Sequence, residues 1–169
     1  PPRCTGTMDQ SSRIALDAMG GDSAPACNLD GALLAVERGA PAERILLVGR
    51  EPEIRAGLEA SGGDPGFGIL HADDVIEMDE KPGVALRAKP GSSIGVATGA
   101  VKSGIAGAHV SMGNTGAVVG AATVGLKTLE GVRRPGIAVT VRLTGKPVTT
   151  LDMGANVVPK PEHLAQYGH

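Results

Sequence analysis

The chain has 169 residues, a formal net charge of -2, 26 glycines, one Tyr, one Phe and no Trp. A charge so close to neutral gives no electrostatic ground for binding nucleic acid or another strongly anionic polymer. With so few aromatic plates, the core must be built from Ala, Val, Leu and Ile, with backbones packed near one another.

An α/β chain of this length can bury roughly 70% of its unfolded surface, enough for a core of its own. No apolar run approaches the roughly 20 residues needed to span a bilayer, and the start lacks the basic-then-apolar order of a secretory signal. Cys4 and Cys27 have no Cys-x-x-Cys spacing and no histidines at zinc-ligand intervals. Neither a disulfide framework nor a metal site is predicted, and a reducing cytoplasm is the default. Residues 1–12 carry no hydrophobic period and read as a leader or disordered extension outside the fold, which occupies residues 13–169.

From residue 13, short apolar runs alternate with amphipathic segments, the sequence form of repeated βα units around a mostly parallel sheet. A first strand is predicted over 13–18, ending in Met19-Gly20-Gly21-Asp22, then a helix over 28–38 with Leu29, Leu33 and Val36 on one face and Gly39 as its stop. Residues 44–48 read as a fully buried strand and 51–60 as a helix, followed by a loop from Ser61 to Gly66. A third strand covers 67–71, an acidic irregular connection 73–82, and a helix 84–89 that Pro90-Gly91 breaks. Ser92 can cap the next helix, which runs to about 103. A strand over 108–112 delivers Gly113-Asn114-Thr115-Gly116 to a long helix ending near 129. Strands at 137–142 and 148–151 and a helix at 161–167 close the pattern, with no internal repeat of fixed period.

In open parallel sheets ligands bind outside the carboxyl ends of strands, where helices present amide-rich amino termini. Three glycine-bearing turns are predicted to converge there: Asp17 to Asp22 (DAMGGD), Gly113 to Gly116 (GNTG) and Asp152 to Asn156 (DMGAN). Their small residues let backbone approach an anion, and their Asp and Asn side chains could orient it. The plain alternative for each is a tight turn whose Asp or Asn merely caps a helix. No Gly-Lys-Ser/Thr follows any of them and none has the G-x-G-x-x-G order, so ATP and NAD are disfavoured and a small anion such as phosphate fits better.

Other groups have plain readings too. Lys81, Arg87, Lys89 and Lys102 around Ser92-Ser93 could neutralise a phosphate or receive an acidic carrier protein; scattered cations on helices are mostly solvated, and that plain reading is preferred for Lys102 alone. His71 and His109 stand at strand edges, as packed or hydrogen-bonded residues often do. Asp73, Asp74, Glu77, Asp79 and Glu80 lack ligand periodicity and read as a solvated acidic loop in a flexible connection. With no nucleophile elbow, Ser/His/Asp order or cysteine in an electropositive turn, no acyl intermediate on the protein is indicated.

The segments IALDAMGGD, ILLVG, ILHADDVI, EKP-x-x-A-x-R-x-K, SSI, VSMGNTGA, GVRRPGIA, LDMGANV and KPEHLAQY, in this order, resemble the amino-terminal half of the bacterial phosphate acyltransferase family. The match runs from Arg13 to Tyr167, departing at Met112, where the family usually has a smaller residue. The resemblance implies a three-layer α/β/α fold related to phosphotransacetylases and isocitrate dehydrogenase-like folds, here truncated. It implies transfer of a fatty acyl group from acyl carrier protein to inorganic phosphate, giving acyl phosphate for phospholipid synthesis and a downstream glycerol-3-phosphate acyltransferase. Phosphotransacetylase-like use of coenzyme A thioesters and a non-catalytic phosphate-binding fragment are the alternatives. The resemblance further implies a cytoplasmic homodimer in full-length form, with peripheral contact to the inner face of the membrane through the second half.

On that reading no cofactor or metal is demanded. Asn114, Thr115 and the amides of Gly113 to Gly116 are expected to form an anion site with the following helix dipole. Gly20, Gly21 and Asp22 are expected to form a neighbouring wall, and Asn156 to orient substrate or oxyanion as the second catalytic candidate. Arg87 and Lys89 are expected to contact phosphate or carrier, and Ser92 and Ser93 to bind substrate.

Overall fold

The computed structural model describes residues 13–152 and 158–167, so the predicted leader lies outside the described residues. Contacts divide the chain into two units, Pro1–Leu126 and Lys127–His169.

The first unit contains β1 (Ile14–Asp17), α1 (Ala26–Glu37), β2 (Ile45–Gly49), α2 (Glu51–Ala60), β3 (Gly68–His71), α3 (Pro82–Ala88), α4 (Ser93–Lys102), β4 (Ala108–Val110) and α5 (Thr115–Gly125). Its four strands lie in the order β3-β2-β1-β4, every pair parallel. β2 is buried at every position, as an unbroken apolar run between two covered faces must be. Alternation divides the core between those faces. Leu47 packs with Leu29 and Ala32 of α1 and with Ile54 and Leu58 of α2. Leu46 and Val48 turn the other way, against Ala97 and Ala100 of α4. Helices on both faces of a parallel sheet bear out the βα reading of the sequence and make the α/β/α layering that the family resemblance implies.

Ser92 caps α4 as expected, its hydroxyl oxygen accepting from Gly95 N–H at 3.3 Å. β4 stops at Val110, two residues early, because its register with β1 ends at Leu16↔Val110. α5 stops at Gly125 instead of continuing to 129, and Lys127 takes the left-handed conformation (φ 68) that ends helices.

In the second unit, β5 (Ala138–Leu143) and β6 (Lys146–Leu151) pair antiparallel with each other in a two-stranded sheet, and α6 spans Pro161–Tyr167. The two strands were expected to close the βα pattern. Instead Thr144 and Gly145, both with positive φ (50 and 83), make the two-residue turn that folds neighbouring strands into a hairpin. Among the described residues no helix is long and apolar enough to cross a membrane.

Candidate functional site

Strand order reverses at β1: β2 and β3 lie on one side of it and β4 on the other. The carboxyl ends of β1 and β4 therefore flank the topological switch point, where α/β sheets bind ligands. Two of the three predicted glycine turns meet there. A Cβ built on Gly20 would lie 2.7 Å from Gly113 N and 2.6 Å from Asp17 Oδ2, so only glycine lets the backbones come this close. Asp17 is fully buried. Its Oδ1 accepts from Met19 N–H at 3.1 Å and its Oδ2 from the Ser111 hydroxyl at 2.7 Å, while the Ser111 oxygen accepts from Gly113 N–H at 3.0 Å. One carboxyl group and one hydroxyl thus tie the turns together.

Each turn also has an asparagine behind it. Asn28, buried in α1, directs its amide nitrogen at the carbonyls of Asp17, Ala18 and Gly20, at 3.4, 3.1 and 2.8 Å. Asn114, 6% exposed, caps α5 by accepting from Ala117 N–H at 3.1 Å. Its amide nitrogen donates to the carbonyls of Glu77, Met78 and Glu80 at 3.1, 3.3 and 3.0 Å. The Asn114 side chain was expected to face a ligand. Its polar atoms are instead bonded to the protein, so the groups that the GNTG turn exposes are Thr115 and Gly116, whose amides stand in the first turn of α5 with no carbonyl of their own helix to reach.

The acidic connection is held in place. Besides the Asn114 bonds, Lys89 Nζ donates to Val75 O at 2.8 Å and to Glu80 Oε2 at 2.6 Å, and the same carboxyl oxygen accepts from Glu77 N–H at 2.8 Å. The Lys89 hydrogen bond, with that of Glu77 N–H behind it, holds the Glu80 carboxyl below the usual carboxylate range. Sequence composition suggested a flexible, solvated loop. Six hydrogen bonds donated by Asn114, Lys89 and Glu77 give it a fixed course, four of them to its backbone carbonyls, which composition does not reveal, and two to the Glu80 carboxylate.

A cleft of about 490 Å³ opens beside the first turn. It is lined by Gly21, Asp22 and Arg50, by apolar side chains including Met19, Val75, Ile76 and Met78, and by Glu53, Glu77 and Asp79. Arg50 was missed in the sequence. It follows β2 directly, and its Nε donates to Asp73 O at 3.1 Å while one terminal nitrogen pairs with Glu53 at 3.0 Å. A cation straight after the buried run ILLVG is the signal that could have found it.

The remaining predicted residues divide. Arg87 is exposed in the last turn of α3. Ser92 and Ser93 are buried, Ser92 spent on its cap and Ser93 Oγ without a partner among the described residues. His71 is hydrogen-bonded as its plain reading predicts, Nδ1 accepting from Glu51 N–H at 3.2 Å and Nε2 meeting Asp73 Oδ1 at 2.9 Å. His109 Nδ1 lies 3.4 Å from Thr98 Oγ1. Burial pushes the pKa of His109 down, and the nearby Asp17 charge partly offsets this. In the second unit, Asp152 N–H donates to Ile137 O at 2.7 Å and Asp152 Oδ2 accepts from the Tyr167 hydroxyl at 3.2 Å. Asn156 and its glycine lie outside the described residues.

Fold and site define an α/β protein with two glycine turns clasped at a switch point of a parallel sheet. The chain belongs to the fatty acid synthesis protein family, whose model matches residues 12–169. It is 49% identical over 156 residues to a phosphate acyltransferase of Magnetococcus marinus, covering 92% of this chain and 44% of that protein. The phosphate acyltransferases of Pelotomaculum thermopropionicum (47% identical, 92% of this chain, 45% of that protein) and Halorhodospira halophila (45% identical, 95% and 47%) are similar to it in the same way. The chain spans about half the length of these relatives.

Proposed function

We propose that this chain forms part of an enzyme that transfers an acyl group from a thioester to inorganic phosphate. The observation that carries this reading is family membership combined with the clasped turns, with Thr115 and Gly116 exposed at the start of α5 and a cleft along the first turn. Phosphate held by the Thr115 and Gly116 amides gains from the α5 dipole. One of its oxygens bonds to the carbonyl carbon, the carbon–sulfur bond breaks, its electron pair goes to sulfur, and the thiolate takes up a proton. The protein holds the two reactants in contact and keeps water from hydrolysing the thioester.

In this proposal Gly20, Gly21 and Asp22 form a wall neighbouring the phosphate site, and Gly113 and Asn114 fix the α5 terminus. Arg87 supplies an exposed cation for phosphate or donor. Lys89, Ser92 and Ser93 shape the neighbouring backbone, and Asn156 is proposed to orient substrate or oxyanion. Acyl carrier protein is the proposed donor and a glycerol-3-phosphate acyltransferase the proposed consumer of acyl phosphate. A cytoplasmic homodimer touching the membrane through the second half seen in the relatives completes the reading. Its support is the family name and the phosphate in the relatives' names.

The test is acyl phosphate formation by this chain joined to the second half found in its relatives, and by this chain alone. Carrier-protein thioester and coenzyme A thioester are compared as donors. Acyl phosphate from the longer chain with the carrier protein is expected, with much less from this chain alone. Formation only from coenzyme A thioester overturns the donor, and none from either overturns the activity.

A further inference from the structure

Asn28 turns three carbonyls of the first glycine turn, those of Asp17, Ala18 and Gly20, toward α1. In a trans peptide the carbonyl and the following N–H point in opposite directions. The amides of Ala18, Met19 and Gly21 are therefore turned away from α1. Two of them have acceptors in the protein: Ala18 N–H donates to Val48 O at 2.9 Å and Met19 N–H to Asp17 Oδ1 at 3.1 Å. Gly21 N–H has none among the described residues, and Gly21 lines the 490 Å³ cleft. Its φ of +98 is one that L side chains rarely adopt, and a Cβ there would stand 3.2 Å from Met112 O. Glycine thus lets the backbone carrying this donor lie close to the second turn.

Charge decides what the donor meets. The cleft holds four carboxyl groups, those of Asp22, Glu53, Glu77 and Asp79, against the single guanidinium of Arg50. Arg50 is itself engaged by Glu53 and Asp73 O. A phosphate dianion is repelled there, whereas an uncharged thioester is not, and Met19, Val75, Ile76 and Met78 offer apolar contact to an acyl chain.

We propose that Gly21 N–H donates to the carbonyl oxygen of the acyl thioester, and that Asn28 is its positioning residue. The assignment rests on the acyl-transfer reading and separates the two reactants: thioester in the cleft, phosphate at the amides of Thr115 and Gly116. When the phosphate oxygen bonds to the carbonyl carbon, negative charge collects on the oxygen facing Gly21 and the hydrogen bond strengthens. It relaxes when the carbon–sulfur bond breaks and the pair leaves on sulfur. Asn28 touches neither reactant.

The test is an NMR titration of the ¹⁵N-labelled 169-residue chain with two probes: the uncharged N-acetylcysteamine thioester of a medium-chain fatty acid, and inorganic phosphate. The thioester is expected to move the Gly21 amide resonance, and phosphate to move those of Thr115 and Gly116 while leaving Gly21 in place. A Gly21 resonance unmoved by thioester, or moved more by phosphate, overturns the assignment without need of any variant. In the longer chain, Asn28→Ser is expected to lower kcat about 10²-fold with KM for phosphate unchanged, the scale for a reacting group held out of place. A rise in KM for phosphate at constant kcat overturns the positioning role. Acyl phosphate formation without a Gly21 response sinks this inference and leaves acyl transfer standing. A Gly21 response to thioester in a chain that makes no acyl phosphate keeps the donor and removes the acyl-transfer reading.

Discussion

Ser111 donates its hydroxyl to Asp17 Oδ2 at 2.7 Å across 94 residues of chain, and its oxygen in turn accepts from Gly113 N–H at 3.0 Å. Ser111→Ala removes a donor from a fully buried carboxyl group and an acceptor from a turn amide. Losing one partner of a buried polar group costs about 1–3 kcal/mol. Urea unfolding should show the unfolding free energy falling by that amount, seen as a lower midpoint at unchanged slope, and an unchanged midpoint would mean that water replaces the hydroxyl.

Asn114 combines a cap with a clasp, and two substitutions separate them. Asn114→Ser keeps an oxygen able to cap α5 but loses the amide that reaches Glu77, Met78 and Glu80. Asn114→Ala loses both. The two variants should differ in stability by about 1 kcal/mol, the usual worth of a cap, with Ser itself less stable than the native chain. Amide exchange at Ala117 should quicken in the Ala variant alone, and around residues 77–80 in both. A Ser variant as stable as the native chain would show that the clasp contributes nothing.

His109 sets a pH dependence. Burial lowers its pKa in the folded protein, so below the unfolded value of about 6.5 the unfolded chain binds the proton more readily than the fold does. Its stabilising effect is present above that value and is lost as pH falls toward the depressed folded one. Unfolding midpoints at pH 7.5 and 5.5 should differ less in His109→Gln than in the native chain. Equal differences would assign the pH dependence to other groups.

Glu80 should respond to Lys89. The Lys89 bond is the largest cause of its lowered pKa, so Lys89→Met should raise the Glu80 titration toward the ordinary carboxylate value, read from its side-chain carbon resonance. The contribution of this bond to stability is present above the unfolded pKa of about 4.3 and disappears as pH falls through the folded one. An unmoved titration would leave Glu77 N–H as the cause.

The central strand and the Ser92 cap are legible because burial on both faces demands an unbroken apolar run and a helix start demands an acceptor. The hairpin is not, although Thr144-Gly145 occupies its turn. A β-branched residue seldom takes positive φ, so Thr144 hides the signal that Asn or Gly would give. Of the three glycine turns expected to converge, the two on adjacent strands, Gly20 and Gly113, were legible from their place after strands. What Asn28 and Asn114 do was not, since each serves backbone carbonyls that have no signature in the side-chain sequence. Arg50 escaped because its importance comes from the neighbours that β1 and the 75–79 segment bring to it, which lie far from it in the chain.

Because Asp17 and Ser111 close the switch point across such a long stretch of chain, the clasp has no counterpart in a molecule whose β4 has left the sheet. Anything bound over it is bound to the folded unit alone, so occupancy and global stability are coupled by mass action. A ligand at one hundred times its dissociation constant adds about 2.7 kcal/mol to unfolding. Binding at this corner would therefore register in the melting of the first unit as a whole, strands and helices together, and not as the local stiffening of one glycine loop.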